Sequence, residues 1–377
     1  MRNRLVAFLL LGGLLGAPGL DAAEAAKPAA SGSDKDLAAY MEKFLPFDPQ
    51  SKVTVEKAAD SPPGFQGYKV RRSGRYENLK VDRVVFLSRD RKWLFSGETL
   101  VNKSPRAAGG EVDLAGFDSA LATVYRTKVR TTRVPERDAG ALKAVAASIE
   151  TGFGPVRIPG YISADSKTFF QGTLWNFQED PRAERRRRID LSTGRAQGSA
   201  SSAVTIVEYA DMECGYCKFR GMQLDRLLEV NASIVSARRH YKFFPLWFAH
   251  PWAMKAASAA DCLFRLGEAP AMFRFKELVY SRQETLTVAG IDELALTAAE
   301  AQGVAAANFL TCYLQDDSFA RVRQDMEEGQ RLEVDSTPTY FIDGTEISWI
   351  EDRVMEDFLR TKFPNLKGIT YPARGAR

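Results

Sequence analysis

Histidine is nearly missing from this chain, which has two in 377 residues, and cysteine is sparse, with four. His240 and His250 stand apart, Cys262 and Cys312 are isolated, and only Cys214 and Cys217 form a close pair. A tetrahedral zinc site wants a second close pair of Cys or His ligands. None is offered, so no metal and no other cofactor is expected. An excess of one charge is also lacking: 52 basic against 48 acidic residues leave a net charge of +4, which calls for no nucleic-acid partner. The one dense basic run, "RRRR" at 185–188, reads as a solvated strand end or linker edge rather than a nuclear or nucleic-acid tag.

Long apolar runs are absent beyond the first residues. "LVAFLLLGGLLG" (5–16) follows the basic start Met1-Arg2-Asn3-Arg4 and precedes an Ala-x-Ala pattern at 23–25. That is the pattern of a secretory signal peptide over residues 1–25, too short to span a bilayer comfortably. No cysteine lies near the cleavage region to take a lipid anchor. The mature protein is expected to be soluble and periplasmic or otherwise extracytoplasmic, where its four cysteines meet an oxidising compartment.

A chain this long exceeds one ordinary core, so several domains are expected. Residues 36–45 have apolar positions at helical spacing, and β-rich segments follow, including a hairpin turning at 89–91. "SRDRKWLFSG" (88–97) aligns with "SADSKTFFQG" (163–172), each preceded by a helical stretch, the second at 117–125. Two copies of a helix-plus-sheet module explain this, as modules 36–110 and 111–191; two unrelated hairpins sharing turn chemistry are the alternative. Residues 139–149 read as a further helix. The Gly/Ser-rich stretch 192–202 is the best domain boundary, a linker ahead of a domain at 203–365. There the order becomes strand, helix, strand, a helical region over about 252–330, strand, strand at an Asp343-Gly344 turn, and helix. That is a thioredoxin-like α/β order with an inserted helical domain, preceded by an α+β region.

The chemistry concentrates in "VEYADMECGYCKFRG" (207–221). A Cys-x-x-Cys pair after a strand and at the start of a helix puts its first thiol where unpaired N–H groups and the helix dipole favour negative charge. Cys214 is then the candidate attacking thiolate, and Cys217, one turn on, the candidate resolving thiol. A structural Cys-x-x-Cys staple is the bland alternative. Glu208 lies at the end of the preceding strand, either as a buried carboxylate shuttling a proton for Cys217 or as an exposed strand-end residue. Pro338, in "DSTPTYFIDG" (335–344), opens a strand. A cis Thr337–Pro338 bond there would present backbone groups for docking an extended peptide.

Three segments, "AVTIVEYADMECGYC", "FFPLWFAHPWAMKAASAADC" and "VDSTPTYFIDG", make residues 200–363 resemble the DsbA-type thioredoxin-fold thiol–disulfide oxidoreductases. The resemblance implies Cys214 as nucleophile, Cys217 as resolving thiol, Thr337 and Pro338 as the cis-proline loop, and Glu208 as the buried acid. Between the cysteines, Gly215-Tyr216 departs from the Pro-His of strong oxidases. With the later Thr-Pro, "CGYC" is similar to the DsbC-type isomerases, and residues 36–190 resemble one or two of their cystatin-like modules. The linker helix of those isomerases is missing.

Cys262 and Cys312 lie in helical contexts, either as a structural disulfide or as two buried thiols. As a bridge they would close a loop whose chain entropy amounts to roughly 4 kcal/mol. "FPLWFAHPW" (244–252) either lines a substrate groove or packs the core, and His240 and His250 read as structural. The function expected is thiol–disulfide exchange of the isomerase or reductase kind on exported cysteine-containing proteins. A membrane redox partner would serve Cys214 and Cys217, and the N-terminal region is a candidate for homo-oligomerisation. A disulfide-donating oxidase is the same-class alternative. A secreted chaperone or adaptor with a vestigial pair is the alternative from another class.

Overall fold

The structure, a computed structural model, describes residues 34–371 except 60, 104, 107–110 and 350. The signal-peptide pattern lies outside the described residues.

The first half builds two sheets from two similar runs of chain. Helix α1 (Asp34–Phe44) buries Leu37, Tyr40, Met41 and Phe44 along one stripe, the spacing of an amphipathic helix. Strands β1 (Lys52–Lys57), β2 (Phe65–Ser73), β3 (Val81–Ser88), β4 (Trp93–Phe95) and β5 (Glu98–Val101) follow. The second run repeats the order with α2 (Leu114–Tyr125), β6 (Val129–Arg133), β7 (Leu142–Ile149), β8 (Val156–Ser163), β9 (Thr168–Gln171) and β10 (Leu174–Asn176). Asp113 caps α2 by accepting the Gly116 N–H at 2.9 Å, satisfying a donor the helix leaves open.

The repeated decapeptide is one turn built twice. Ser88 Oγ donates to Asp90 Oδ1 (2.5 Å) and accepts the Trp93 N–H (2.9 Å). Ser163 Oγ donates to Asp165 Oδ1 (2.6 Å) and accepts the Thr168 N–H (2.9 Å). Arg91 and Ser166, at matching positions, take φ of 55° and 57°.

The two copies exchange their last strands. One sheet has the order β1-β2-β3-β4-β10, the other β6-β7-β8-β9-β5. Strand β5 leaves its own copy to pair with β9, with Glu98 opposite Gln171, and β10 completes the exchange on β4, with Leu174 opposite Phe95. The crossings fall at Gly97 and Gly172, the last residues of the two repeats. A Cβ on Gly97 would stand 2.3 Å from the Gln171 carbonyl oxygen; one on Gly172, whose φ is +131°, would lie 3.8 Å from Gly97 Cα. Glycine lets the two strand ends pass this closely. Each sheet thus draws on both runs of chain.

The Ala-rich stretch read as a helix at 139–149 is instead β7. Leu142, Ala144, Val145, Ala147 and Ile149 are buried along it, and it pairs with β6 on one side and β8 on the other. Two ladders and a buried face override the helix propensity of alanine.

The basic run at 185–188 is solvated only in part: Arg186 and Arg187 are exposed, Arg185 and Arg188 are not. It ends helix α3 (Pro181–Arg188), where Arg185 is buried. Its guanidinium donates to Phe44 O (2.6 Å) and Glu346 Oε2 (3.3 Å) and lies over the Phe44, Trp175 and Phe341 rings. Arg188 donates to Leu174 O (2.8 Å) and Arg331 O (3.2 Å) and sits 4.1 Å over Trp175. Carbonyls, a carboxylate and ring faces together accept what water would otherwise accept from such charges.

The second half is one sheet with a helical insert. β11 (Ala196–Gln197), β12 (Val204–Ala210), α4 (Gly215–Val230) and β13 (Ala237–Phe243) precede four helices: α5 (Ala253–Arg282), α6 (Val288–Ala301), α7 (Ala306–Tyr313) and α8 (Asp316–Arg331). β14 (Thr339–Ile342), β15 (Thr345–Ser348) and α9 (Val354–Lys362) complete it. The strand order is β11-β13-β12-β14-β15, with β13 parallel and β14 antiparallel to β12. β12 is central, and the near-continuous burial of its apolar residues suits a strand covered on both faces. Helix α5 breaks at Gly267 and Glu268, ahead of Pro270.

The Gly/Ser-rich stretch 192–202 carries β11, antiparallel to β13, and a buried Arg195 that ion-pairs with Asp261 (3.2 Å) and Asp325 (2.7 Å). The halves also meet directly: Trp175 Nε1 donates to Glu333 Oε1 (2.7 Å), and Phe47 N–H donates to Glu346 O (2.8 Å). Among the described residues no helix is long and apolar enough to cross a membrane.

Candidate active site

β12 delivers the chain to Cys214, the N-cap residue of α4. The Cys217 and Lys218 N–H groups of the first turn donate to Cys214 O, at 3.0 and 3.3 Å. Cys214 Sγ lies 3.4 Å from Thr337 O, and the Thr337–Pro338 bond is cis. Both cysteines are free thiols here and both are buried, Cys217 fully and Cys214 with 7% of its surface exposed.

Their environments push the two thiols apart. Interaction with the Cys217 side chain, then the Cys217 N–H and the Thr337 side chain, lower the Cys214 pKa to about 6 against the cost of burial. Burial, then the neighbouring Cys214, raises Cys217 well above an ordinary thiol. At neutral pH the outer sulfur is a thiolate and the inner one holds its proton. That is the polarity a nucleophile and a resolving thiol need.

Glu208, on β12, is fully buried. Its carboxylate accepts from Arg239 Nε (2.7 Å) and from the Tyr340 hydroxyl (3.1 Å) and forms an ion pair with the same guanidinium, Nη2 at 2.6 Å. Arg239 also reaches Asp225 at 2.8 Å. The buried Lys276 is lowered to about 8, first by burial and then by the Arg239 charge. Tyr241 and Tyr340 each sense the charges of both Glu208 and Cys217 and are raised well above an ordinary phenol, chiefly by burial. Glu208 is thus a buried, ion-paired carboxylate whose charge, like that of Cys217, is felt by the Tyr241 and Tyr340 phenols.

A second carboxylate stands closer. Asp211, buried three residues before Cys214, accepts the Glu213 N–H on Oδ1 (2.7 Å) and the Leu246 N–H on Oδ2 (2.8 Å). His250 Nδ1 meets the same Oδ2 at 2.6 Å. The Asp211 N–H itself donates to Cys217 Sγ at 3.4 Å. His250 is raised above the ordinary imidazole value, first by this hydrogen bond, against partial burial. Glu213 accepts the Trp252 N–H at 2.8 Å.

Against known proteins, residues 190–360 match the family model described as Thioredoxin. The matched residues fall in the half of the chain that carries the thioredoxin-like fold. Similar solved structures include the thiol-disulfide exchange protein alpha-DsbA2 of Wolbachia pipientis, with 19% identity over 50% of this chain and 94% of that one, TM-score 0.41. BdbD of Bacillus subtilis is 16% identical over 46% and 94%, TM-score 0.41, and ScsC of Proteus mirabilis 18% over 48% and 78%, TM-score 0.39. Among curated proteins, "Na(+)/H(+) antiporter NhaA 3" of Salinispora tropica is 29% identical over 156 residues, 41% of this chain and 22% of that protein. "Na(+)/H(+) antiporter NhaA 1" of Mycolicibacterium gilvum is 28% identical over 172 residues, 42% and 24%. The chain thus spans less than a quarter of the length of these curated relatives.

In the thioredoxin-fold domain, four of the residues singled out from sequence converge: Cys214, Cys217, Thr337 and Pro338; Glu208 is buried on β12 with Arg239 and Tyr340 as its partners. Cys262 and Cys312 lie elsewhere, joined between α5 and α7 by a disulfide with S–S 2.06 Å. The aromatic stretch 244–252 divides: Phe244, Leu246 and Trp252 are buried, whereas Phe248 is exposed beside a half-buried Trp247. His250, which reads as an isolated structural residue in the sequence, instead meets Asp211, a residue that no sequence motif marks. The usable signal was an acid three residues before the first cysteine and one of only two histidines, but nothing in a 39-residue separation says that they meet. Among the described residues no group of three or more His, Cys, Asp or Glu side chains is placed to hold a metal ion.

Proposed function

We propose that this chain is an extracytoplasmic thiol–disulfide oxidoreductase acting as an isomerase or reductase on exported cysteine-containing proteins. The observation that carries the reading is the opposed protonation of one thiol pair, with Cys214 lowered to about 6 and Cys217 raised and buried. The Cys214 thiolate attacks a substrate disulfide, forming a mixed disulfide and releasing one substrate thiol. A substrate thiol then resolves it in isomerisation, or Cys217 does so in reduction, leaving a Cys214–Cys217 disulfide. Backbone groups of the Thr337–Pro338 loop, beside Cys214, suit an extended peptide. A membrane redox partner would return electrons to the pair.

The isomerase or reductase direction rests on Gly215-Tyr216 between the cysteines and on the paired α+β modules, which would hold non-native chains or mediate self-association. The test is reactivation of scrambled ribonuclease by the reduced protein, with thiol trapping in intact cells. Reactivation and a resting dithiol support the reading. A resting disulfide, with oxidation of reduced ribonuclease instead, replaces it by the oxidase. Full biological activity of Cys214→Ser replaces it by a chaperone or adaptor.

A further inference from the structure

We propose that His250, held by the Asp211 carboxylate, supplies the counter-charge that Gly215-Tyr216 lacks and thereby sets the thiolate state of Cys214. The proposal deepens the functional reading and rests on Cys214 being the attacking thiol. His250 acts through charge on that thiol, as a positioning residue.

The Asp211 side chain is wholly buried, and its charge opposes a thiolate at both Cys214 and Cys217. Left alone, a buried carboxylate in the turn that leads into a nucleophile would suppress it. Its strongest partner is the His250 ring at 2.6 Å, and a protonated imidazole there cancels much of that field. The titratable groups facing His250 are Asp211 and Glu213 from the turn between β12 and α4, and Cys214 at the start of α4. Its own loop, 244–252, has no other charged residue, and Lys255 on α5 is engaged with Asp292 at 2.6 Å. His250 therefore answers to this one acidic cluster.

The reductive cycle balances with one proton from Cys217 and one from solvent. Before attack the site holds Cys214 thiolate, Cys217 thiol and imidazolium. Cys214 sulfur bonds to one substrate sulfur, the substrate disulfide breaks, and the leaving thiolate takes a proton from solvent. Cys217 sulfur then bonds to Cys214 sulfur, the mixed disulfide breaks, and the Cys217 proton ends on the second substrate thiol. The substrate gains two electrons, the dithiol loses two, and the imidazolium, its neighbouring thiolate gone, holds its proton less tightly.

Coupling of charges is reciprocal. If His250 stabilises the Cys214 thiolate, loss of that thiolate on disulfide formation must lower the His250 pKa. With two histidines in the chain, both imidazole titrations are readable by NMR of the histidine-labelled full chain, reduced and oxidised. His240 serves as reference, since burial and then the Arg238 and Lys242 charges lower it. The ring that disappears in His250→Gln is expected to titrate higher in the reduced protein by about half a pH unit or more. Equal midpoints in the two states overturn the proposal, and this measurement uses the wild-type chain, so it survives a misfolded variant. In His250→Gln, alkylation of Cys214 at pH 6 should fall about twofold or more as its midpoint rises; an unmoved profile in a folded variant also overturns it. Should both titrations behave as stated while scrambled ribonuclease is left untouched, the functional reading falls and the role of His250 stands. Turnover with a redox-insensitive His250 means the reverse.

Discussion

The two halves of this molecule use sheets in opposite ways. In the N-terminal half, two copies of one module trade their last strands, and β5 and β10 are held by the other copy's sheet. In the thioredoxin-fold half, a single sheet keeps its own strands and takes β11 from the connector, and its centre carries the buried charges: Glu208 with Arg239, and Asp325 with Arg195 and Lys242. One half invests in interlocked backbone, the other in positioned charge. A glycine contact should therefore matter most to stability in the first, and a sulfur or a proton most to chemistry in the second.

The largest effect expected is chemical and confined to the second half. Cys214→Ser should lower disulfide exchange by about 10³-fold or more without shifting the melting temperature, followed with a fluorescent glutathione disulfide. Retained exchange would move the chemistry away from this pair. Next is stability of the helical insert. Replacing both Cys262 and Cys312 by Ala opens a loop with a sequence separation of 50 and should cost about 4 kcal/mol by chain entropy, read from urea unfolding. Exchange by the remaining folded protein should persist.

Gly97→Val drives a side chain into the Gln171 carbonyl where the strands cross. A loss of about 2 kcal/mol or more is expected, with hydrogen exchange rising in β5 and β10 before β12. Uniform loosening across both halves would mean that the strand exchange is not a separate unit of stability. A smaller effect follows pH. Alkylation of Cys214 should rise with a midpoint near its lowered pKa of about 6, because the thiolate forms above that pH and is lost below it. A midpoint at the ordinary thiol value would remove the asymmetry within the pair. Smallest is Asp113→Ala at the start of α2, which forfeits the bond to Gly116 and about 1 kcal/mol, with no change in exchange.

The thioredoxin-fold half was legible because its signals are local. Cys214, Cys217, the preceding strand and the following helix lie within one stretch, and Thr337-Pro338 carries its own mark. The N-terminal half was legible only as a repeat. The shared decapeptide pointed to two modules, yet the strand exchange hangs on Gly97 and Gly172 meeting across 75 residues. The helix expected at 139–149 failed for the same reason: alanine's local preference yielded to β6 and β8. The basic run failed because the acceptors of Arg185 and Arg188 come from Phe44, Leu174, Arg331 and Glu346.

What the sequence determined by itself is therefore what short range can encode. It set the amphipathic stripe of α1, the Ser-x-Asp turns, the buried run of β12 and a thiol pair at a helix start. These depend on side-chain spacing and on hydrogen bonds a few residues long. Tertiary structure alone decided that β5 and β10 change places, that Arg185 and Arg188 stack on aromatic rings, and that His250 meets Asp211 beside Cys214. Each joins groups distant in sequence, and whether a charge is buried or paired depends on what the whole fold brings against it.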